Sequence, residues 1–243
     1  MRTANPALRE DTFTEFRPVT EAMTINGTVN KTAVLLVLAV CGAAYTWNLF
    51  TQSAQAAAPW ALGGALGGFV VALVTAFKKT WSPITAPLYS VLEGLFLGAI
   101  SAQFEAQFKG IVFQAMALTF GTLFGLLLAY RSGLIRATQN FRLGIVAATG
   151  GIALVYLVSF VMGFFGKQIP YIHESGWIGI GFSLFVVVIA AMNLVLDFDF
   201  IEQGAEHGAP KYMEWYAAFG LMVTLIWLYI EILRLLAKLS RRR

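Results

Sequence analysis

Apolar side chains fall into seven long runs separated by short polar breaks: Thr32–Phe50, Trp60–Phe77, Ile84–Gln103, Ile111–Tyr130, Leu143–Phe165, Trp177–Leu196 and Trp215–Leu236. Each is close to the roughly 20 residues that an α-helix needs to cross a bilayer's hydrocarbon core. Backbone groups cannot go unpaired in lipid, and the alternation of a membrane barrel is missing, so the runs predict helices. The expectation is an all-α integral membrane bundle of seven transmembrane helices over residues 32–239. A polar, disordered tail is expected over residues 1–31, interrupted by Pro6 and Pro18, and a short basic tail over residues 240–243. Ser53-Ala54-Gln55-Ala56 follows the first run with the small residues of a signal-peptidase site. The polar lead and the run are both too long for a typical signal peptide, so the first run is read as a retained helix.

Composition agrees with the pattern. Of 243 residues, 58% are hydrophobic and only 12% charged, and mean hydropathy is +0.71. A soluble chain carries about 25% charged residues, enough to cover its surface. Net charge is +4, and here the placement of the basic residues matters more than the total. Arg2, Arg9, Arg17, Lys31, Lys78, Lys79, Arg131, Arg136, Arg142 and Lys211 share the N-terminal side of the membrane, ten in all. Lys109 and Lys167 lie on the other, so the N-terminus is expected inside the cell. Seven crossings then carry Arg234, Lys238, Arg241, Arg242 and Arg243 outside, against the same rule. Either the earlier helices dominate, or the last segment stops short. No nucleic-acid role follows from the charge.

Glycines four apart (Gly63/Gly67, Gly64/Gly68, Gly94/Gly98 and Gly121/Gly125) are expected to let helix backbones approach closely. Enzyme chemistry is hard to build. There is one cysteine, Cys41, and there are two histidines, His173 and His207, both in connecting segments. No Gly-x-Ser-x-Gly elbow or His-Glu-x-x-His motif occurs, and His173-Glu174 leads into Ser175-Gly176-Trp177 instead. A non-enzymatic protein without a resident cofactor is expected.

The informative side chains are acids in or near the runs. An ionisable group at membrane depth costs at least ~2.5 kcal/mol on insertion scales, so it normally faces the bundle interior, a wet cavity or a partner. Glu93 lies deepest in the third run, where Gly94 and Gly98 suggest room for water or an ion. At the end of the sixth run, Asn193 and Asp197 share one helix face, and Asp199 and Glu202 another. Asp197 and Asp199 are hard oxygen ligands suited to Ca²⁺ or Mg²⁺, or they are simply wet at a helix end. Glu231 in the last run either pairs locally with Arg234 or faces Asp197. In the second case the two carboxyls share a proton and act as a pH sensor, bridged when protonated and repelled when ionised.

Several segments together resemble the Bax inhibitor family of seven-helix membrane proteins, in its bacterial, YccA-like branch. They are Ser82-Pro83-Ile84-Thr85-Ala86-Pro87 leading to Leu92-Glu93-Gly94-Leu95-Phe96-Leu97-Gly98, the segment Asn193–Ile201, the stretch Gly208–Tyr216 and the run Trp227–Leu236. The resemblance spans Lys31 to Lys238. It implies a pH-gated cation leak channel, with calcium as the permeant ion, in a bacterial inner membrane. Asp197, Asp199 and Ile201 match the family's sixth-helix pattern, and Leu228-Tyr229-Ile230-Glu231 matches its partner acid, with Glu in place of Asp. A rival register puts Glu214 in that role. The family's basic gate between helices two and three has Lys78 and Lys79 as counterparts. YccA-like relatives also suggest a different class of function, a non-transporting scaffold that restrains another membrane protein such as a protease.

Overall fold

The computed structural model describes residues 22–166 and 176–242. The basic residues Arg2, Arg9, Arg17, Lys167 and Arg243, the bulk of the N-terminal tail and the His173-Glu174 pair lie outside these. Among the described residues there are seven α-helices: α1 Ile25–Gln52, α2 Ala54–Phe77, α3 Ser82–Gln107, α4 Ile111–Arg131, α5 Gln139–Phe164, α6 Trp177–Glu206 and α7 Met213–Ser240. All seven are long and apolar enough to span a membrane.

Helix boundaries extend past several of the apolar runs. Helix α1 begins seven residues before Thr32, because Thr24 caps it by accepting from the Gly27 N–H at 2.9 Å. The expected tail therefore ends earlier, and Met23 is core. Helix α6 continues to Glu206, so Asp197, Asp199 and Glu202 lie within it rather than at its end. Helix α7 is uninterrupted for 28 residues, about 42 Å at 1.5 Å per residue, which is long enough for a full crossing. The basic C-terminus thus lies opposite the N-terminal side. There Arg241 stacks over Phe108 at 6.0 Å and Arg242 over Trp177 at 3.5 Å.

Helix α7 is the hub and the most enclosed of the seven. One apolar core joins it to α4 and α6, and a second joins it to α1 and α3, where Tyr89 meets Phe219 edge-on at 4.9 Å. Helix α6 is less central than α7, and α5 packs on its outer side through Ile145, Ile152, Val186 and Ile189. On the N-terminal side, Met23 N–H donates to the Ala209 carbonyl at 2.7 Å, and Ser82 Oγ donates to the Tyr212 carbonyl at 3.0 Å. These contacts tie three chain breaks together on one face.

The close glycine packing is confined to α1, α2 and α3. A Cβ at Gly94 would stand 2.2 Å from the Ala39 carbonyl oxygen, and one at Gly98 would stand 2.1 Å from that of Ala43. Gly64 meets the Leu92 carbonyl in the same way. The space that a side chain at Gly94 or Gly98 would take is therefore filled by the α1 backbone. Gly63, Gly121 and Gly125 face open space, so those positions do not seat a neighbouring helix. Gly98→Ala should cost about 1–3 kcal/mol by overpacking. Gly121→Ala should be neutral or mildly stabilising, since it gains helix propensity without a clash. Thermal unfolding of the two variants in the same detergent checks the contrast, and equal midpoints would refute it.

Candidate functional site in the α6/α7 seam

Asp197 sits two-thirds of the way along α6. Its carboxyl faces α7, beside Thr224 and with Oδ1 4.0 Å from where a Cβ on Gly220 would be. Gly220 leaves room for this carboxyl in a seam otherwise closed by Leu194, Val195 and Phe198. The side chain is partly exposed as a whole, but Oδ2 is enclosed and has no hydrogen-bond partner among the described residues. A charge on a carboxyl oxygen enclosed without a donor is costly, and water or a cation reaching that oxygen would relieve the cost.

Glu231 is not its partner. Its side chain is 1% exposed, and it accepts from the Tyr156 hydroxyl of α5 at 2.9 Å and from Arg234 at 2.9 Å. Arg234 also lies over the Tyr156 ring at 5.6 Å. The local Glu231–Arg234 pair is the arrangement adopted. Glu231 follows the residues beside Asp197 by seven to eleven positions, which is about 10–16 Å along the α7 axis. The expected carboxyl pair does not form, because the offset between α6 and α7 sets the two acids at different heights.

Glu214 does not replace it. Fully buried at the start of α7, Glu214 accepts from the Thr24 N–H and hydroxyl, each at 2.9 Å, pairs with Lys31 of α1, and lies 3.1 Å from Lys211. This cluster fastens α1 to α7 on the N-terminal side.

The other candidates disperse. Asn193 donates to Thr149 of α5 and to the Ile189 carbonyl, both at 2.9 Å. Asp199 lies 2.5 Å from Arg142 of α5 and accepts from Gln203 at 2.8 Å, while Glu202 accepts from the Tyr130 hydroxyl of α4. Residues two apart on a helix are turned by about 200°, so Asp197 and Asp199 point to different neighbours and cannot chelate one ion. Among the described residues, no three His, Cys, Asp or Glu side chains converge on a metal position. Glu93 faces α2, its Oε1 2.8 Å from where a Cβ on Gly68 would be, and does not line the α6/α7 seam. Lys78 and Lys79 are exposed beyond α2. Lys79 lies 5.4 Å over the Tyr216 ring, and neither lysine pairs with a candidate acid among the described residues. The partners Lys31, Tyr130, Arg142, Thr149 and Tyr156 were not singled out by sequence. The only signal for them was that each is a polar group inside or flanking an apolar run.

Seven apolar helices, the first three packed through small-residue faces, with buried acids at several depths, define an integral, multi-pass membrane protein. The chain belongs to the Bax inhibitor family: the family described as Bax inhibitor 1 like matches residues 5–241. No curated protein and no solved structure matches it.

Proposed function

We propose that the protein is a pH-sensitive cation leak channel, non-enzymatic, whose path follows the α6/α7 seam. Calcium is the permeant ion that the family resemblance implies, and a bacterial inner membrane is the implied location. The observation that carries the reading is the enclosed, partnerless Oδ2 of Asp197 opposite Gly220. The neutral acid leaves the seam closed. Ionisation at higher pH places a charge where lipid cannot solvate it, and drawing in water or a cation relieves that cost. Asp197 acts alone in this scheme, with Glu231 held by Tyr156 and Arg234.

The second reading, a non-transporting regulator of another membrane protein, is favoured by a different observation. Glu93, Asp197, Glu214 and Glu231 are parted among separate helix contacts and do not face one common cavity. Flux across liposomes holding the purified full chain, measured with calcium and with potassium at several pH values, separates the two. The channel reading expects flux that rises with pH and survives deletion of residues 2–21, a cut that stops short of Met23 and Thr24. Wild-type liposomes that pass neither ion at any pH would sink it in favour of the regulator.

A further inference from the structure

On the N-terminal side, a cleft of about 460 Å³ opens where α4 ends, α5 begins and α6 forms the wall between them. Its lining includes Tyr130, Arg131, Arg136, Thr138, Asp199 and Glu202. The two acids already have partners, since Asp199 is held by Arg142 and Gln203 and Glu202 by the Tyr130 hydroxyl. The two arginines do not. Among the described residues, neither Arg131 nor Arg136 makes a side-chain hydrogen bond or ion pair. Gly133, with φ +76°, turns the chain so that Arg136 Nη2 lies 3.7 Å from where a Gly133 Cβ would be. Helix α5 also starts here, capped by Thr138, and its N-terminal end adds positive potential.

The surroundings are those of the membrane interface. Leu128, Leu134 and Leu143, on the helix ends and turn that frame the cleft, are 70%, 83% and 63% exposed. Helices α4 and α5, although consecutive, pack on α6 and not closely on each other, so a gap over α6 faces the lipid between them. A ligand for this place needs an anionic group for the arginines and can offer hydrogen-bond donors to Asp199 Oδ1 and Glu202 Oε1, the carboxyl oxygens that Arg142, Gln203 and Tyr130 do not use. It also needs hydrocarbon for the leucines.

We propose that the cleft is a headgroup site for a glycerophospholipid. The lipid's phosphate is held by Arg131 and Arg136, its headgroup end carries N–H or O–H donors toward Asp199 and Glu202, and its chains run down between α4 and α5. Guanidinium groups suit a phosphate because they can present paired donors to two of its oxygens. Basic pockets between membrane helices are known places for phosphorylated headgroups. The donors are the selective feature, since ethanolamine and glycerol headgroups have them and choline does not.

The test uses the full chain purified in detergent, with short-chain phosphatidylethanolamine, phosphatidylglycerol and phosphatidylcholine added and retained lipid read by native mass spectrometry. The first two should be retained at least roughly tenfold better than phosphatidylcholine. R131A/R136A should lower their retention by roughly tenfold or more, given about 1 kcal/mol per basic residue near an anionic surface. Arg131→Ala alone carries the same expectation in smaller measure and serves if the double variant does not fold. Glu202→Gln should narrow the preference over phosphatidylcholine and leave overall retention in place. Equal retention of all three lipids by the wild type would overturn the proposal, as would arginine variants that bind like wild type. Complete displacement by millimolar inorganic phosphate would overturn it too, assigning the cleft to the free ion.

Discussion

Asp197→Asn is expected to give liposomes whose cation flux no longer changes with pH, while the protein folds and unfolds much as before. The substitution keeps the side chain's shape, so the contact with Gly220 and Thr224 survives. It removes only the ability to ionise. The wild-type acid has an enclosed oxygen with no donor, so ionisation requires water or a cation to enter the seam. An amide makes no such demand at any pH, and the seam should stay in its closed form. Glu231→Gln should behave differently. It weakens the bond from Tyr156, which joins α7 to α5, and the local pair with Arg234, and should lower stability while leaving the pH response in place. The two acids lie about 10–16 Å apart along the α7 axis and share no partner, so the double variant should show the sum of both effects. Full pH dependence in Asp197→Asn would end the Asp197 mechanism. Loss of pH dependence in both single variants would show that the two acids meet in some other state.

The largest loss of stability is expected from Lys31→Met. Glu214 is fully buried, and Lys31 supplies the nearest of its two cations while itself 18% exposed. Removing one member of a buried ion pair leaves the other uncompensated, which typically costs about 3–5 kcal/mol. Lys211 remains 3.1 Å from the carboxylate, so the loss should fall near the lower end of that range. Glu214→Gln should be milder, since the amide can still accept from Thr24 and Lys31 can turn its ammonium toward water. Gly27→Ala should also destabilise, because its Cβ would stand 2.1 Å from a Glu214 carboxyl oxygen. Unfolding midpoints in a mild detergent give the ranking, and a midpoint for Lys31→Met equal to wild type would refute it.

The seven crossings were legible because hydrophobic length is a local property that any membrane helix must show. The helix ends were not. Apolar runs break at charged residues, yet α1 runs through Lys31 and α6 through Asp199 and Glu202. These charges find partners at the interface, which makes it possible for the helix to continue there. The partners are far away in the chain: Lys31 and Glu214 are 183 positions apart, Tyr130 and Glu202 are 72, and Arg142 and Asp199 are 57. No spacing rule reaches that far. The same gap explains the misplaced carboxyl pair. Sequence placed Asp197 on α6 and Glu231 on α7, and those two helices do pack together. The axial offset between them is decided by how the two helices pack together and has no signature in either helix alone. Glycine pairs misled for a related reason, since Gly94/Gly98 and Gly121/Gly125 look alike until a neighbour is seen to fill one and not the other.

The short segment ahead of α1 is fastened at two points. Met23 bonds to Ala209 in the turn between α6 and α7, with its sulfur against Gly204, and Thr24 bonds to Glu214 at the first turn of α7. In mechanical terms this is a short tether with its anchor on a hinge. Tension applied to the chain before Met23 would pass through these bonds into α6 and α7 as well as along the chain into α1. A force sensor built from this chain would therefore be loaded from its N-terminal end, in part through the two helices that enclose Asp197.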